Sequence, residues 1–192
     1  MTYEILVQPL GYLPAELLYS IVAELNSMFK GLTFRLCSEQ KEPPVTAYDW
    51  RRRQYYSPHV IEYVYKQFKD FINDNDNILI ACISDIDAYS DNLNFVFGEA
   101  VPHLRTCCVY TRRLRNEFYG LPADTTKFYL RIIKEVIHEV GHLLGLGHCN
   151  NTSCVMRFSN SLFEVDLKKP YFCHRCKTIL RDKGIIQLIN DT

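Results

Sequence analysis

Two histidines four residues apart, His138 and His142, stand inside the segment RIIKEVIHEVGHLLGLGH, and that spacing constrains this chain more than any other feature. Residues four apart on a helix lie on one face, a turn apart. Ile132, Ile133, Val136, Ile137, Val140, Leu143 and Leu144 gather on the other arc, which predicts an amphipathic helix from about Asp124 to Leu144 packed on a core. Arg131, Lys134, Glu135, Gly141 and Gly145 share the histidine arc, so the histidines are expected to face a cleft.

The segment fits H-E-x-x-H-x-x-G-x-x-H at five fixed positions. At ordinary residue usage, chance produces this on the order of once in 100,000 such chains, so three unrelated histidines are a poor account of it. Each position has a chemical reason. His138, His142 and His148 offer three neutral nitrogens to one Zn²⁺, and three protein ligands leave a fourth position for water, as catalytic rather than structural zinc requires. Glu139 lies beside such a metal and not on it, placed to take a proton from bound water and pass it to a leaving nitrogen. Gly145 is expected to end the helix, because the chain must turn sharply to bring His148 back.

A second cluster follows at once. Cys149, Cys154, Cys173 and Cys176 form C-x4-C, a spacer of eighteen residues, then C-x2-C. Four thiolates at that spacing suit a tetrahedral structural zinc, and Cys149 joins its site to the first through His148. The expected cofactor is therefore Zn²⁺ at two sites per chain, one catalytic and one structural. Cys37, Cys82, Cys107 and Cys108 read as packing thiols. His174, inside the closing pair, is expected to be exposed.

The chain has 192 residues, 47% of them hydrophobic, enough for one domain with a real core. Lysine plus arginine equal aspartate plus glutamate at 22 each, which argues against a nucleic-acid binder, and Arg51-Arg52-Arg53 reads as a solvated run. No apolar run is long enough to span a bilayer, and the N-terminus lacks a basic region followed by an apolar one, so a cytoplasmic location without a membrane partner is expected. Strands are predicted at Tyr3 to Val7, 32–36, 77–83, LNFVFGEA and LRTCCVYT. Helices are predicted at 13–29, after Ser57 as N-cap with Pro58 in the first turn, and near 174–190, while 38–57 reads as a loop.

HEVGHLLGLGHCNNTSCVM continuing to CHRC resembles the archaemetzincins, a branch of the metzincin clan of zinc metalloproteases, and NFVFGEA and the helix from Asp124 extend the likeness along the chain. The resemblance implies an α+β, metzincin-like zincin fold: a mixed twisted sheet with packed helices, an active-site helix, a Met-turn and a zinc-stabilised C-terminal subdomain. It divides one peptidase domain, 1–192, into about 1–148 with the sheet and about 149–192 with the four-cysteine zinc site. It gives Met156 the role of an apolar floor under the catalytic metal. It also implies an edge strand above the metal, for which Asn94 to Phe97 is the candidate. The implied activity is hydrolysis of peptide bonds in a peptide or protein substrate, inside chains or at amino ends, by a monomer. A zinc-binding recognition module without turnover and an amidohydrolase for non-peptide amides are the alternatives. His103 and Arg105 are open candidates for stabilising the oxyanion.

Overall fold

The computed structural model describes residues 2–185 and the backbone of 187–188. In chain order the elements are β1 (Tyr3–Leu10), α1 (Ala15–Met28), β2 (Phe29–Lys30), β3 (Leu32–Leu36), β4 (Tyr48–Asp49), β5 (Gln54–Tyr56) and α2 (Ser57–Asp74). They continue with β6 (Ile78–Ser84), β7 (Ala88–Tyr89), β8 (Gly98–Val101), β9 (Thr106–Tyr110), α3 (Thr125–Leu143), α4 (Leu162–Leu167), α5 (His174–Asp182) and β10 (Gln187–Leu188).

One sheet organises these elements, in the order β3-β1-β6-β9-β8. The first four strands are parallel, and β8 closes the edge antiparallel to β9. The central strand β6, ILIACIS, is buried at every position, as a parallel strand covered on both faces must be. Its side chains alternate between two cores. Leu79, Ala81 and Ile83 pack with α1 and α3, while Ile78, Ile80 and Cys82 pack with α2. The result is a mixed α/β architecture with its catalytic motif on the last long helix. Among the described residues no helix is long and apolar enough to cross a membrane.

Several local expectations are corrected. Ser57 does not cap α2: it is the first helical residue, and its hydroxyl is 2.7 Å from the Tyr110 hydroxyl in the core. Residues 38–57 are not merely loop, because β4 and β5 pair as a hairpin and β5 pairs with β7. The last helix stops at Asp182, and residues 186, 189 and 190 of the predicted span lie outside the described residues.

The polar arc of α3 is corrected in a more consequential way. Arg131, Lys134 and Glu135 are buried, because the segment after the metal motifs folds back over them. Arg131 forms a bidentate pair with Asp166, both contacts 2.7 Å, and Lys134 donates to the Val165 and Asp166 carbonyls. Lys168, fully buried, meets Glu135 at 2.8 Å and the Arg157 carbonyl at 3.3 Å. The helix is apolar on the sheet side and ionic on the tail side, and its exposed residues, Thr125 to Lys127 and Leu130, belong to its first turns.

Candidate active site

The histidines come from the last turns of α3 and the bend after it. Leu144 caps the helix, and Gly145 takes a left-handed φ of 84°, which reverses the chain and returns His148 toward the other two rings. Ring centroids of His148 lie 5.4 Å from His138 and 4.9 Å from His142. His138 Nδ1 lies 2.8 Å from the Val155 carbonyl, and His142 Nδ1 lies 2.8 Å from the Leu146 carbonyl. Both Nδ1 atoms are thereby donors, and both Nε2 atoms are free acceptors aimed at one point, 3.1 Å apart. A tetrahedron of nitrogens around zinc has edges of about 3.3 Å for bonds of 2.0–2.1 Å, so the pair fits a shared metal. Burial, with Lys168 and the other rings adding to it, pushes the His138 pKa well below its usual value and keeps the ring neutral, as a ligand must be.

Glu139 is buried beside this centre against β8. A Cβ on Gly98 would lie only 2.6 Å from Glu139 Oε1, so only glycine lets the strand and the carboxylate approach this closely. Burial, helped by Glu135 and Glu99 and opposed by Lys168, holds the Glu139 carboxyl well above the usual carboxylate range. Met156 is fully buried beneath the helix, and a Cβ on Gly141 would meet its sulfur at 2.5 Å. Gly141 therefore belongs to the floor of the site and not to the cleft-facing arc on which its periodicity placed it.

The four cysteines also converge. Their sulfurs all lie within 4.8 Å of one another, with Cys149–Cys173 at 3.7 Å and Cys154–Cys176 at 3.8 Å. Zinc–sulfur bonds of about 2.3 Å give tetrahedral edges of about 3.8 Å, so these separations suit one tetrahedral zinc. Cys173 starts α5. Burial opposes its ionisation, but the Cys176 amide and the neighbouring thiols together hold its pKa below the usual thiol value. The loop from Cys149 to Met156 is closed by Cys149 N–H donating to the Met156 carbonyl at 2.9 Å. That same loop carries Val155, whose carbonyl orients His138. His174 is exposed and outside the cluster.

A cavity of about 470 Å³ opens over the three histidines, lined by β8, by Leu93, Phe95 and Phe97, and by Phe158 and Ser159. The edge strand here is β8, one step beyond the expected Asn94 to Phe97. The earlier backbone is already committed: the Asn94 carbonyl accepts from Arg52 and Gln54, Val96 bridges Ala88, and the Phe97 carbonyl accepts from Tyr110 N–H. His103 and Arg105 do not line the cavity, and Arg105 instead donates to the Asn75 carbonyl at the end of α2. Ser159 was not legible in the sequence. Its hydroxyl is buried in the cavity wall without a protein partner among the described residues, and no spacing rule singles out one serine after a methionine.

A centre of three histidines with an adjacent glutamate under an edge strand defines a zinc-dependent metallopeptidase. More narrowly, the chain belongs to peptidase family M54, whose model matches residues 16–182. It is 38% identical over 187 residues to an archaemetzincin of Methanocaldococcus jannaschii, covering 96% of this chain and 97% of that one. It is 40% identical to one of Saccharolobus solfataricus, covering 90% of each. Its fold is similar to a zinc-dependent peptidase from Methanocorpusculum labreanum, with a TM-score of 0.82, 31% identity, and coverage of 92% and 99%. It is also similar to an archaemetzincin from Archaeoglobus fulgidus, with a TM-score of 0.75, 29% identity, and coverage of 91% and 98%.

Proposed function

We propose that this metallopeptidase uses Glu139 as its general base and holds two zinc ions, a catalytic one on His138, His142 and His148 and a structural one on Cys149, Cys154, Cys173 and Cys176. The observation that carries the reading is the convergence of the three histidines at the floor of a cleft that Glu139 and β8 also line. Zinc in a three-ligand site supplies Lewis-acid polarisation of a carbonyl and acidifies water. The chain's own residues do the rest. The free edge of β8 offers main-chain donors and acceptors to an extended peptide, which would lie beside it as an added strand. Glu139 takes a proton at its carboxylate and returns it to the departing amine, and burial raises its basicity for that task. The Ser159 hydroxyl, buried in the cavity wall without a protein partner among the described residues, is a side-chain donor free to meet a substrate oxygen. Met156 supports His138 and His142 from below. The chain works as a monomeric cytoplasmic enzyme on peptides, with residues from 149 onward forming the zinc-stabilised subdomain.

The deciding experiment is mass-spectrometric mapping of cuts in a diverse peptide mixture, with Glu139→Gln as the control. Cuts that vanish in the variant support the reading, and their positions separate internal from terminal cleavage. Equal cutting by both proteins removes Glu139 from the chemistry. No cutting by a protein carrying both zincs favours a recognition module.

A further inference from the structure

A second cavity, of about 360 Å³, lies outside the carboxyl ends of β6 and β9, where open parallel sheets bind their ligands. Tyr48, Tyr55 and Phe118 supply aromatic walls, and Arg53 and Arg112 reach it from two different segments. The two aspartates at its base are already neutralised. Asp87 is held by Arg113 at 2.6 and 2.9 Å, and Asp85 faces Arg115 at 3.6 Å. Asp49 is turned into its own hairpin, accepting from the Arg51 and Arg52 amides and from the Tyr89 hydroxyl. Arg53 and Arg112 meet no carboxylate among the described residues, so the pocket carries excess positive charge. Arg53 also holds a left-handed φ of 57°, a costly conformation for a residue other than glycine or asparagine.

Arg113 stands between a wall of this pocket and a wall of the catalytic cleft. The Arg113 guanidinium lies 4.7 Å from the Phe118 ring on the pocket side and 4.6 Å from the Phe95 ring on the cleft side. Phe95 in turn packs on Phe97, and both line the cavity above the histidines.

We propose that this pocket binds a compact anion carried on a flat apolar body, an aromatic carboxylate or phosphate monoester gripped by Arg53 and Arg112, and that its occupancy is transmitted to the catalytic cleft through the Phe118–Arg113–Phe95 stack. Guanidinium pairs suit both anions by forked hydrogen bonding, and the aromatic walls select against small hydrated ions. The proposal does not depend on which residues hold zinc.

The chain's one tryptophan is a built-in reporter, because Trp50 stacks edge-on against Tyr48 of the pocket wall with ring centroids 4.8 Å apart. Titration of the zinc-loaded protein with benzoate, phenyl phosphate and uncharged benzamide, followed by Trp50 emission and by calorimetry, tests the binding. Saturable binding of one or both anions is expected, with none for benzamide. Loss of either guanidinium, in Arg53→Asn or Arg112→Ala, weakens it by roughly tenfold or more. The benzoate and phenyl phosphate arms decide between carboxylate and phosphate. No saturable binding of either anion, equal binding of benzamide, or binding unchanged in Arg53→Asn combined with Arg112→Ala overturns the site. For the coupling, the bound anion is expected to change KM for a cleaved peptide by about fivefold, and Arg113→Lys, which keeps the charge on Asp87 and loses the planar stack, abolishes that change without abolishing binding. An unchanged KM at a saturated pocket overturns the coupling.

Discussion

The two halves of this molecule are held together by different physics. The sheet and its three long helices bury two cores of aliphatic side chains, with β6 between them and no polar side chain on it except Ser84. The stretch from Cys149 to Asp182 has two short helices, α4 and α5, and contributes only a few buried apolar residues, among them Val155, Met156, Val165, Phe172 and Leu180. It carries instead four converging thiols and is joined to the polar arc of α3 by ion pairs. The contrast teaches where each kind of fastening is useful. Burial makes a rigid platform for His138, His142 and Glu139. Ion pairs and converging thiols hold a short tail in directional geometry, and the tail supplies the Val155 carbonyl and Met156 that finish the site.

Stripping the metal should split the halves most widely. Structural zinc contributes on the order of 10 kcal/mol to small domains, far more than the tail's apolar burial can replace. With a chelator, or in Cys154→Ser, hydrogen exchange should accelerate across 149–182 while β1 and β6 stay protected; uniform loss of protection would mean that the halves fold as one unit. Elemental analysis of the native protein should give two zinc ions, falling to about one in the variant.

Glu139→Gln comes next. It should lower kcat/KM by roughly 10²–10⁴, the range of a general base, with the melting temperature preserved or raised because a buried carboxyl is replaced by a neutral amide. A variant retaining full activity would break the assignment of the base.

The clamps give the third test. Lys168→Met should cost about 3–5 kcal/mol, since it strands Glu135 without its cation, and adding Glu135→Leu should recover most of that. On the platform side, Ile80→Ala should cost about 2–5 kcal/mol, with no partner substitution able to rescue it. Denaturant midpoints distinguish the two patterns. Failure of the double variant to recover would mean that the Lys168 stem packs more than it pairs.

The same contrast explains what the sequence could disclose. The apolar run at 77–83 and the 3.6-residue pattern of α3 report burial directly, and the platform was legible from them. The two clusters that converge in the fold were legible as candidate ligand sets because metal chemistry demands fixed residue types at fixed spacing. The burial of Arg131, Lys134 and Glu135 was not legible, because their partners Asp166 and Lys168 lie more than thirty residues further on. The edge strand slipped by a few residues for a similar reason. What takes Asn94 and Phe97 out of the free edge is pairing with Arg52, Gln54 and Tyr110, which no local pattern encodes. Ser57 read as a cap because its true partner, Tyr110, lies fifty-three positions away.

The smallest effect falls where the two halves touch. Gly141 sits on the platform helix, and its missing side chain is filled by Met156 and Phe172 from the tail. Gly141→Ala would improve helix propensity by roughly 0.8–1 kcal/mol if nothing opposed it. The added methyl would overlap the Met156 sulfur and approach Phe172, and such overpacking costs about 1–3 kcal/mol. The net expectation is a modest loss, about 0–2 kcal/mol, read as a lowered denaturant midpoint. Because Met156 is next to Val155, any shift of the tail should also move the carbonyl that orients His138, so catalytic zinc should dissociate faster in competition with a chromogenic chelator. A control variant, Met156→Ala with Gly141→Ala, removes the overlap and should restore the helix gain while leaving the floor hollow. If Gly141→Ala alone stabilises the protein and holds zinc as tightly as before, the tail yields freely at this contact, and the floor would be set by the thiol cluster rather than by packing against α3.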